Sequence, residues 1–204
     1  MLKRLWLIFG PIFAAAFLVL LLIYFFPSKQ SHNLMEEKYS AASISRESFK
    51  ERSQKVRALT DPNMRFIPFL GSSEWIRFDS VHPAVLAEKY NRPYRPYFMG
   101  QAGAASLNQY FGLQQILPEI EEKQAVFVIS PQWFTETDYE PAAFQRFFNS
   151  DQLTAFLENQ SGDISAKHAA TRLLKQNPSV ALKGILQKLS KGEDLSDADR
   201  LIIN

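Results

Sequence analysis

The hydrophobic pattern along the chain changes character three times. Leu5 to Phe26 is a run of 22 residues with no charged side chain. As a helix rising ~1.5 Å per residue it would reach about 33 Å, enough to cross a bilayer core of ~30 Å. Lys3 and Arg4 precede it and no acidic residue does. The positive-inside tendency then predicts a cytoplasmic N-terminus and an extracellular remainder. A cleaved signal peptide has a shorter apolar core, and Pro27-Ser28-Lys29-Gln30 offers no small-residue cleavage site. A buried core helix usually carries only about 10–14 apolar residues. Residues 1–27 therefore read as a cytoplasmic N-terminus and an uncleaved transmembrane anchor.

Residues 28–60 are polar, poor in aromatics and without strand-like alternation. They read as a membrane-proximal stalk with helix near Ser45–Leu59. Arg46, Lys50, Arg52, Lys55 and Arg57 gather there, interrupted by Glu47 and Glu51. That interruption favours a solvated helix face over a surface for anionic headgroups or an acidic polymer.

Beyond residue 60 the apolar positions come in short blocks. Met64 to Leu70 reads as a buried strand whose regularity Pro68 weakens. His82 to Tyr90 reads as a helix with Pro83 at its first position. Tyr94 to Met99 is a second strand. Ser106 can cap a helix running to Lys123, with Leu107, Tyr110, Phe111, Leu113, Ile116, Leu117 and Ile120 at helical spacing. Ala125 to Ile129 is a third strand, apolar throughout. Alternating strands and helices with continuous apolar strands predict an α/β fold around a parallel sheet covered on both faces. After Glu140 the pattern is helical: Pro141–Phe148, Asp151–Glu158, Ser165–Gln176, Ser179–Ser190 and Ser196 onward. Asn177-Pro178 and Lys191-Gly192 punctuate it. Residues 61–140 are thus taken as part of an α/β domain. Residues 141–204 form a helical segment expected to continue beyond the chain end.

Composition narrows the function classes. The 204 residues carry 23 Lys and Arg against 21 Asp and Glu, and no Cys. Without Cys there can be no thiol nucleophile, zinc ribbon or iron–sulfur site. A formal charge of +2 does not suggest a nucleic-acid binder. Setting Lys3 and Arg4 aside leaves the expected extracellular part formally neutral, so net charge does not steer it toward a polyanion. No phosphate-loop pattern is present, and no metal or organic cofactor is expected.

All three strands end in polar or glycine-rich turns: Gly71-Ser72-Ser73, Gly100-Gln101-Ala102-Gly103 and Ser130-Pro131-Gln132. Ligands of parallel sheets bind beyond the carboxyl ends of the strands, so these turns define a candidate site. A Ser on a sharp turn after a buried strand is a recurring way to expose a nucleophile, but it needs a base and oxyanion donors. Taken alone, Gly-Ser-Ser is more often a structural turn.

Longer motifs surround these turns. Gly71-Ser72-Ser73-Glu74-Trp75 runs on to Arg77-Phe78-Asp79 and His82-Pro83; Asn91-Arg92-Pro93-Tyr94-Arg95-Pro96-Tyr97-Phe98-Met99 precedes Gly100; Ser130-Pro131-Gln132-Trp133-Phe134 follows the third strand. Together they resemble the DltD family, membrane-anchored proteins of the D-alanyl-lipoteichoic acid pathway of Gram-positive bacteria. The resemblance covers the anchor and residues 60–140. It implies a three-layer parallel-sheet core like that of SGNH (GDSL) hydrolases, incomplete here and carrying a helical insertion. It implies Ser73 as nucleophile, with Ser72 where those enzymes have Asp. Gly103, through its backbone N–H, and Gln132, through its side-chain amide, correspond to oxyanion donors. Glu74 is a candidate for holding the ammonium of a transferred D-alanyl group. The implied partners are lipoteichoic acid, a membrane-bound O-acyltransferase and a D-alanyl carrier protein. The expected function is that of an extracellular serine acyltransferase or thioesterase, with a non-catalytic membrane-anchored scaffold as the alternative.

The Asp-x-x-His pair that such hydrolases use stands near the end of their domain. The only such spacing here is Asp79-Ser80-Val81-His82, just past the nucleophile. Asp79 and His82 are therefore read as structural, Asp79 pairing with Arg77 or capping the following helix. His32 and His168 are read as surface residues. Trp75, Trp133 and Phe134 are read as packing residues. The base and its acid are expected outside these 204 residues.

Overall fold

A computed structural model describes residues 2–25, 46–76, 79–134, 141–160 and 162–203. Most of the expected stalk, with His32, lies outside the described residues, as does Arg77; so do the side chains of Glu47, Gln132 and Phe134. The chain divides into two units, Met1–Asn33 and Leu34–Asn204.

The first unit contains helix α1, Leu2–Phe25, 24 residues long. Its described apolar side chains, Ile12, Phe13, Phe17 and Leu18 among them, are exposed. Eight positions of α1 have side chains outside the described set, and among the described residues no helix is long and apolar enough to cross a membrane.

The second unit is an α/β domain with a three-stranded parallel sheet, as the alternating pattern predicts. β1 (Phe66–Gly71) lies between β2 (Arg95–Gly100) and β3 (Val126–Phe127), in the order β2-β1-β3. Phe66 pairs with Arg95 and the register runs to Gly71 against Gly100. β3 pairs only where Phe69 meets Val126 and Leu70 meets Phe127. That pairing starts just after Pro68, which has no N–H to donate.

The sheet buries both faces. Phe66 and Leu70 of β1 join Tyr97 and Met99 of β2 on one side, with Ala58, Leu59 and Ile116 packed over them. Ile67 and Phe69 join Phe98 and Trp75 on the other, against Ala84 and Val128. Two-residue alternation in β1 and β2 thus feeds two cores. β3 is the exception. Val126, Phe127 and Ile129 are exposed, so within these 204 residues the apolar run is a short edge strand.

Two helices differ from their sequence expectation, each for a local reason. The helix near Ser45–Leu59 splits into α2 (Arg46–Lys50) and α3 (Arg52–Leu59). Between them Glu51 turns extended, and its carboxylate caps α3 by accepting the Ser53 N–H at 3.3 Å. The helix expected to run from Ser106 to Lys123 stops at Gln114 as α5, and a short α6 (Leu117–Ile120) follows. Pro118 lacks an amide hydrogen and its ring crowds the carbonyl four residues back, at Gln114. α4 (Pro83–Lys89) begins at Pro83 as expected.

The later helices are α7 (Pro141–Gln145), α8 (Ser150–Asn159), α9 (Ile164–Gln176), α10 (Lys183–Lys191) and α11 (Asp197–Ile203). They form a second core around Phe111, Phe144, Phe156, Leu173 and Leu186. α5 belongs to both: Phe111 faces the helices, while the buried Gln109 side chain donates to the Gly71 carbonyl at the end of β1.

The basic residues of α2 and α3 do not form one solvated face. Lys55 is fully buried, and its ammonium donates to Gln115 Oε1 at 2.6 Å beside the Phe49 ring. Arg52 donates to the Gln115 carbonyl at 2.9 Å and pairs with Glu119 at 3.5 Å. Phe49, Ala58 and Leu59 are buried as well, so packing of the domain starts ahead of the boundary expected at residue 61. Burial lowers the Lys55 pKa from 10.5 to about 7, with the Glu51 charge pulling the other way. Between those two values the unfolded chain holds the proton that the folded chain has released. The contribution of Lys55 to stability therefore rises with pH across that window and is flat on either side. Lys55→Met is expected to remove that rise, measured as urea midpoints at pH 7 and pH 10. Equal slopes in the two proteins would show that Lys55 keeps its proton when folded.

Candidate functional site

The carboxyl ends of all three strands face one edge of the sheet, because the strands are parallel. β1 is central, with its neighbours reached by crossovers in opposite directions. That is the switch point at which open α/β sheets form a crevice. A larger cavity, about 730 Å³, sits elsewhere, beside Arg65, Pro93 and Glu122 at the amino ends of the strands. The cleft at the carboxyl ends is about 520 Å³. The sheet's geometry, not volume, selects the second.

Ser73 opens a short 3-10 turn, Ser73–Ile76, two residues past the end of β1. It is exposed, whereas Ser72 is buried. The Ser72 hydroxyl donates to the Gln101 carbonyl at 3.2 Å, tying the first turn to the second. Its N–H donates to Glu74 Oε1 at 2.5 Å. Glu74 thus folds back on its own turn with one oxygen, while it also lines the cleft.

Two glycines make room for this turn. A Cβ on Gly71 would fall on Glu74 Oε1 and Trp75 Nε1, and one on Gly100 would fall on the Trp75 ring and lie 2.8 Å from the Ser72 carbonyl. Trp75 is buried, with its ring 5.7 Å from Phe69 and 5.2 Å from Phe98. It packs over the strands and leaves Ser73 on the open side. Trp133 meets Phe127 edge to face at 6.1 Å, also as a packing residue.

His82 and Asp79 line the same cleft as Ser73. His82 is nevertheless committed to structure. It is the N-cap of α4, and its Nδ1 accepts the Ala84 N–H at 3.3 Å. In the neutral ring that leaves the proton on Nε2, which then donates and cannot accept. Burial holds its pKa below the ordinary value, outweighing a bond to the Trp75 backbone and the Asp79 charge. The ring also packs on Phe98 at 4.8 Å. Asp79 Oδ1 accepts the Val81 N–H at 3.0 Å, a turn that sets up the cap and does not itself cap the helix.

The other expected site residues fall less closely together. Gly103 sits on the turn after β2 at φ +90°, a backbone conformation that explains glycine there, and it is outside the lining of the cleft. Gln132 belongs to a second 3-10 turn, Pro131–Phe134, after β3; its side chain lies outside the described residues. Ser130, from the same turn, does line the cleft. Sequence reading marked its turn without giving Ser130 a part. The bond from Gln109 to Gly71, 38 residues apart, left no local signal at all.

Comparison with known proteins adds the lineage. A family model described as DltD protein matches residues 41–204. Protein DltD of Lacticaseibacillus rhamnosus is 36% identical over 201 residues, covering 96% of this chain and 46% of that protein. Protein DltD of Bacillus subtilis (strain 168) is 27% identical over 154 residues, 76% of this chain and 39% of its own length. Protein DltD of Staphylococcus aureus (strain NCTC 8325 / PS 47) is 26% identical over 180 residues, 87% of this chain and 45% of its own. The chain spans less than half the length of these curated relatives.

Proposed function

The chain belongs to the DltD family, and on that premise we propose that it serves the D-alanylation of lipoteichoic acid as part of a membrane-anchored extracellular serine acyltransferase or thioesterase. The observation that carries this reading is Ser73, exposed at the carboxyl end of the central strand and opening onto a cleft. In the proposed reaction the Ser73 oxygen attacks the D-alanyl carbonyl and forms an acyl ester as the donor's bond to that carbon breaks. A teichoic-acid hydroxyl, or water, then attacks the ester and regenerates Ser73. Gly103, Gln132 and the Ser73 N–H hold the oxyanion, and the free oxygen of Glu74 receives the D-alanyl ammonium. The membrane-bound O-acyltransferase and D-alanyl carrier protein of the pathway are the proposed partners.

His82 is spoken for by the α4 cap, and among the described residues no other histidine lines the cleft; the proposed base and its acid come from elsewhere in the full-length protein. That same commitment of His82 supports the second reading, a scaffold that holds the polymer without catalysis. A serine-directed fluorophosphonate separates the two. Covalent modification of Ser73 in the full-length protein supports the enzyme, and inertness supports the scaffold.

The anchor is proposed from the uncharged run and the basic residues before it, with support from the exposed apolar surface of α1. A Cys introduced at Asn204 is expected to react with a membrane-impermeant thiol reagent on intact cells. Protection until lysis would reverse the topology and remove an extracellular substrate from consideration.

A further inference from the structure

Gln109 occupies a place on α5 that the packing of the sheet would give to an apolar residue. Leu113 and Ile116 lie one and two turns further along the same stripe, and both pack with Leu70 and Met99 over the strands. Gln109 is fully buried on that stripe. Its Nε2 donates to the carbonyl of Gly71, the last residue of β1. Its Oε1 is buried with no hydrogen-bond partner among the described residues. A buried amide with one end unsatisfied destabilises a fold, and an apolar side chain of the same length would fill the space without that cost. Packing therefore does not account for Gln109, whereas the group it holds does.

That group is the Gly71–Ser72 peptide, which leads into Ser73. A peptide unit is planar, so holding its oxygen and its hydrogen fixes the whole plane. Gln109 takes the oxygen from α5. Glu74 Oε1 takes the hydrogen, accepting the Ser72 N–H at 2.5 Å from within the turn. The Ser72 hydroxyl donates to the Gln101 carbonyl at 3.2 Å and fixes that side chain as well. Ser73 comes next and is exposed, so its orientation is inherited from the residues before it. α5 is itself braced on its other side. Asn108 Nδ2 donates to the Phe144 carbonyl of α7 at 3.0 Å, and Asn159 Nδ2 of α8 donates to the Gln114 carbonyl at 2.8 Å. Phe111 packs among the later helices. Contacts thus run from the helical segment through α5 and Gln109 to the turn that carries Ser73.

We propose that Gln109 is a positioning residue for the nucleophile: by holding the Gly71 carbonyl from α5 it sets the direction in which Ser73 presents its hydroxyl and its N–H to the cleft. It touches neither substrate nor reacting atoms, and its role rests on the reading of Ser73 as the nucleophile.

The test is single-turnover labelling of the full-length protein over a range of fluorophosphonate concentrations. It yields a limiting rate constant, a half-saturating concentration and the fraction labelled. Gln109→Met keeps the length of the side chain and removes the donor. It is expected to lower the limiting rate constant by on the order of 10²-fold, the scale of a misplaced reacting group. The half-saturating concentration, the labelled fraction and the thermal melt should stay close to wild type. A purely structural role would lower the melt or the labelled fraction and leave the rate constant of the folded molecules alone. A wild-type limiting rate constant in Gln109→Met therefore overturns the assignment, whatever the other quantities do. Gln109→Asn carries the amide on a stem one carbon shorter, which withdraws it from Gly71, and should be slow as well. It decides the matter in the same way where Gln109→Met does not fold. Failure of both variants to fold overturns the assignment by making Gln109 a residue of folding. An inert wild-type protein is a different failure, since it removes the nucleophile reading and this assignment with it.

Discussion

Ser73→Ala in the full-length protein is expected to abolish fluorophosphonate labelling and to lower acyl transfer by on the order of 10⁴–10⁶-fold, the scale seen when a serine nucleophile is removed. The expected size follows from placement. Ser73 sits at the end of the central strand, on a turn held by the Ser72 bond to Gln101 and the Gln109 bond to Gly71. It is exposed, so truncation removes one hydroxyl and leaves the packing intact; a thermal melt should be unchanged. A serine hydroxyl is a poor nucleophile near neutral pH until a positioned base takes its proton. Among the described residues the nearby candidates are engaged, Glu74 through one oxygen by the Ser72 N–H and His82 by the Ala84 N–H. The isolated chain is therefore expected to stay unlabelled or to react far more slowly. Labelling at the full-length rate would sink that expectation and make Glu74 or His82 the base.

The second large effect concerns the oxyanion. Gln132→Ala in the full-length protein is expected to slow acylation by ~10²-fold without unfolding it, the usual loss for one oxyanion donor. Gln132 follows β3 on the edge that carries Ser73, in a turn closed by the Trp133 N–H donating to the Ser130 carbonyl at 3.0 Å. Its amide is the same donor as that of an Asn side chain, on a stem one carbon longer. Gln132→Asn should keep only part of the activity, because the shorter stem misplaces the amide. Single-turnover acylation checks both variants. An unchanged rate in Gln132→Ala would remove Gln132 from the mechanism.

Strand positions and their terminal turns were legible because each depends on a short range of residues. Short continuous apolar runs and bounding glycines are local properties, and β1 and β2 lie where they predict. The break before α6 is equally local, since Pro118 announces it. Lys55 was not legible. Its charge and its basic neighbours describe a surface residue, and only the arrival of Gln115, 60 positions away, supplies an acceptor for its buried ammonium.

The candidate site divides in the same way. By themselves the residues determined the uncharged 22-residue run, the order of strands and helices, the Gly-Ser-Ser turn and the kinship motifs around it. These follow from side-chain hydrophobicity, backbone preference and identity, which need no partner. Only the tertiary structure decided that β1 is central, that the Ser73 turn is bound to the second turn through Ser72, and that Asp79, His82 and Ser130 share its cleft. It alone assigned His82 to a helix cap. The physical reason is range. Propensity and pattern act over a few residues, but a hydrogen bond or buried charge is decided by whichever distant group packing delivers to it.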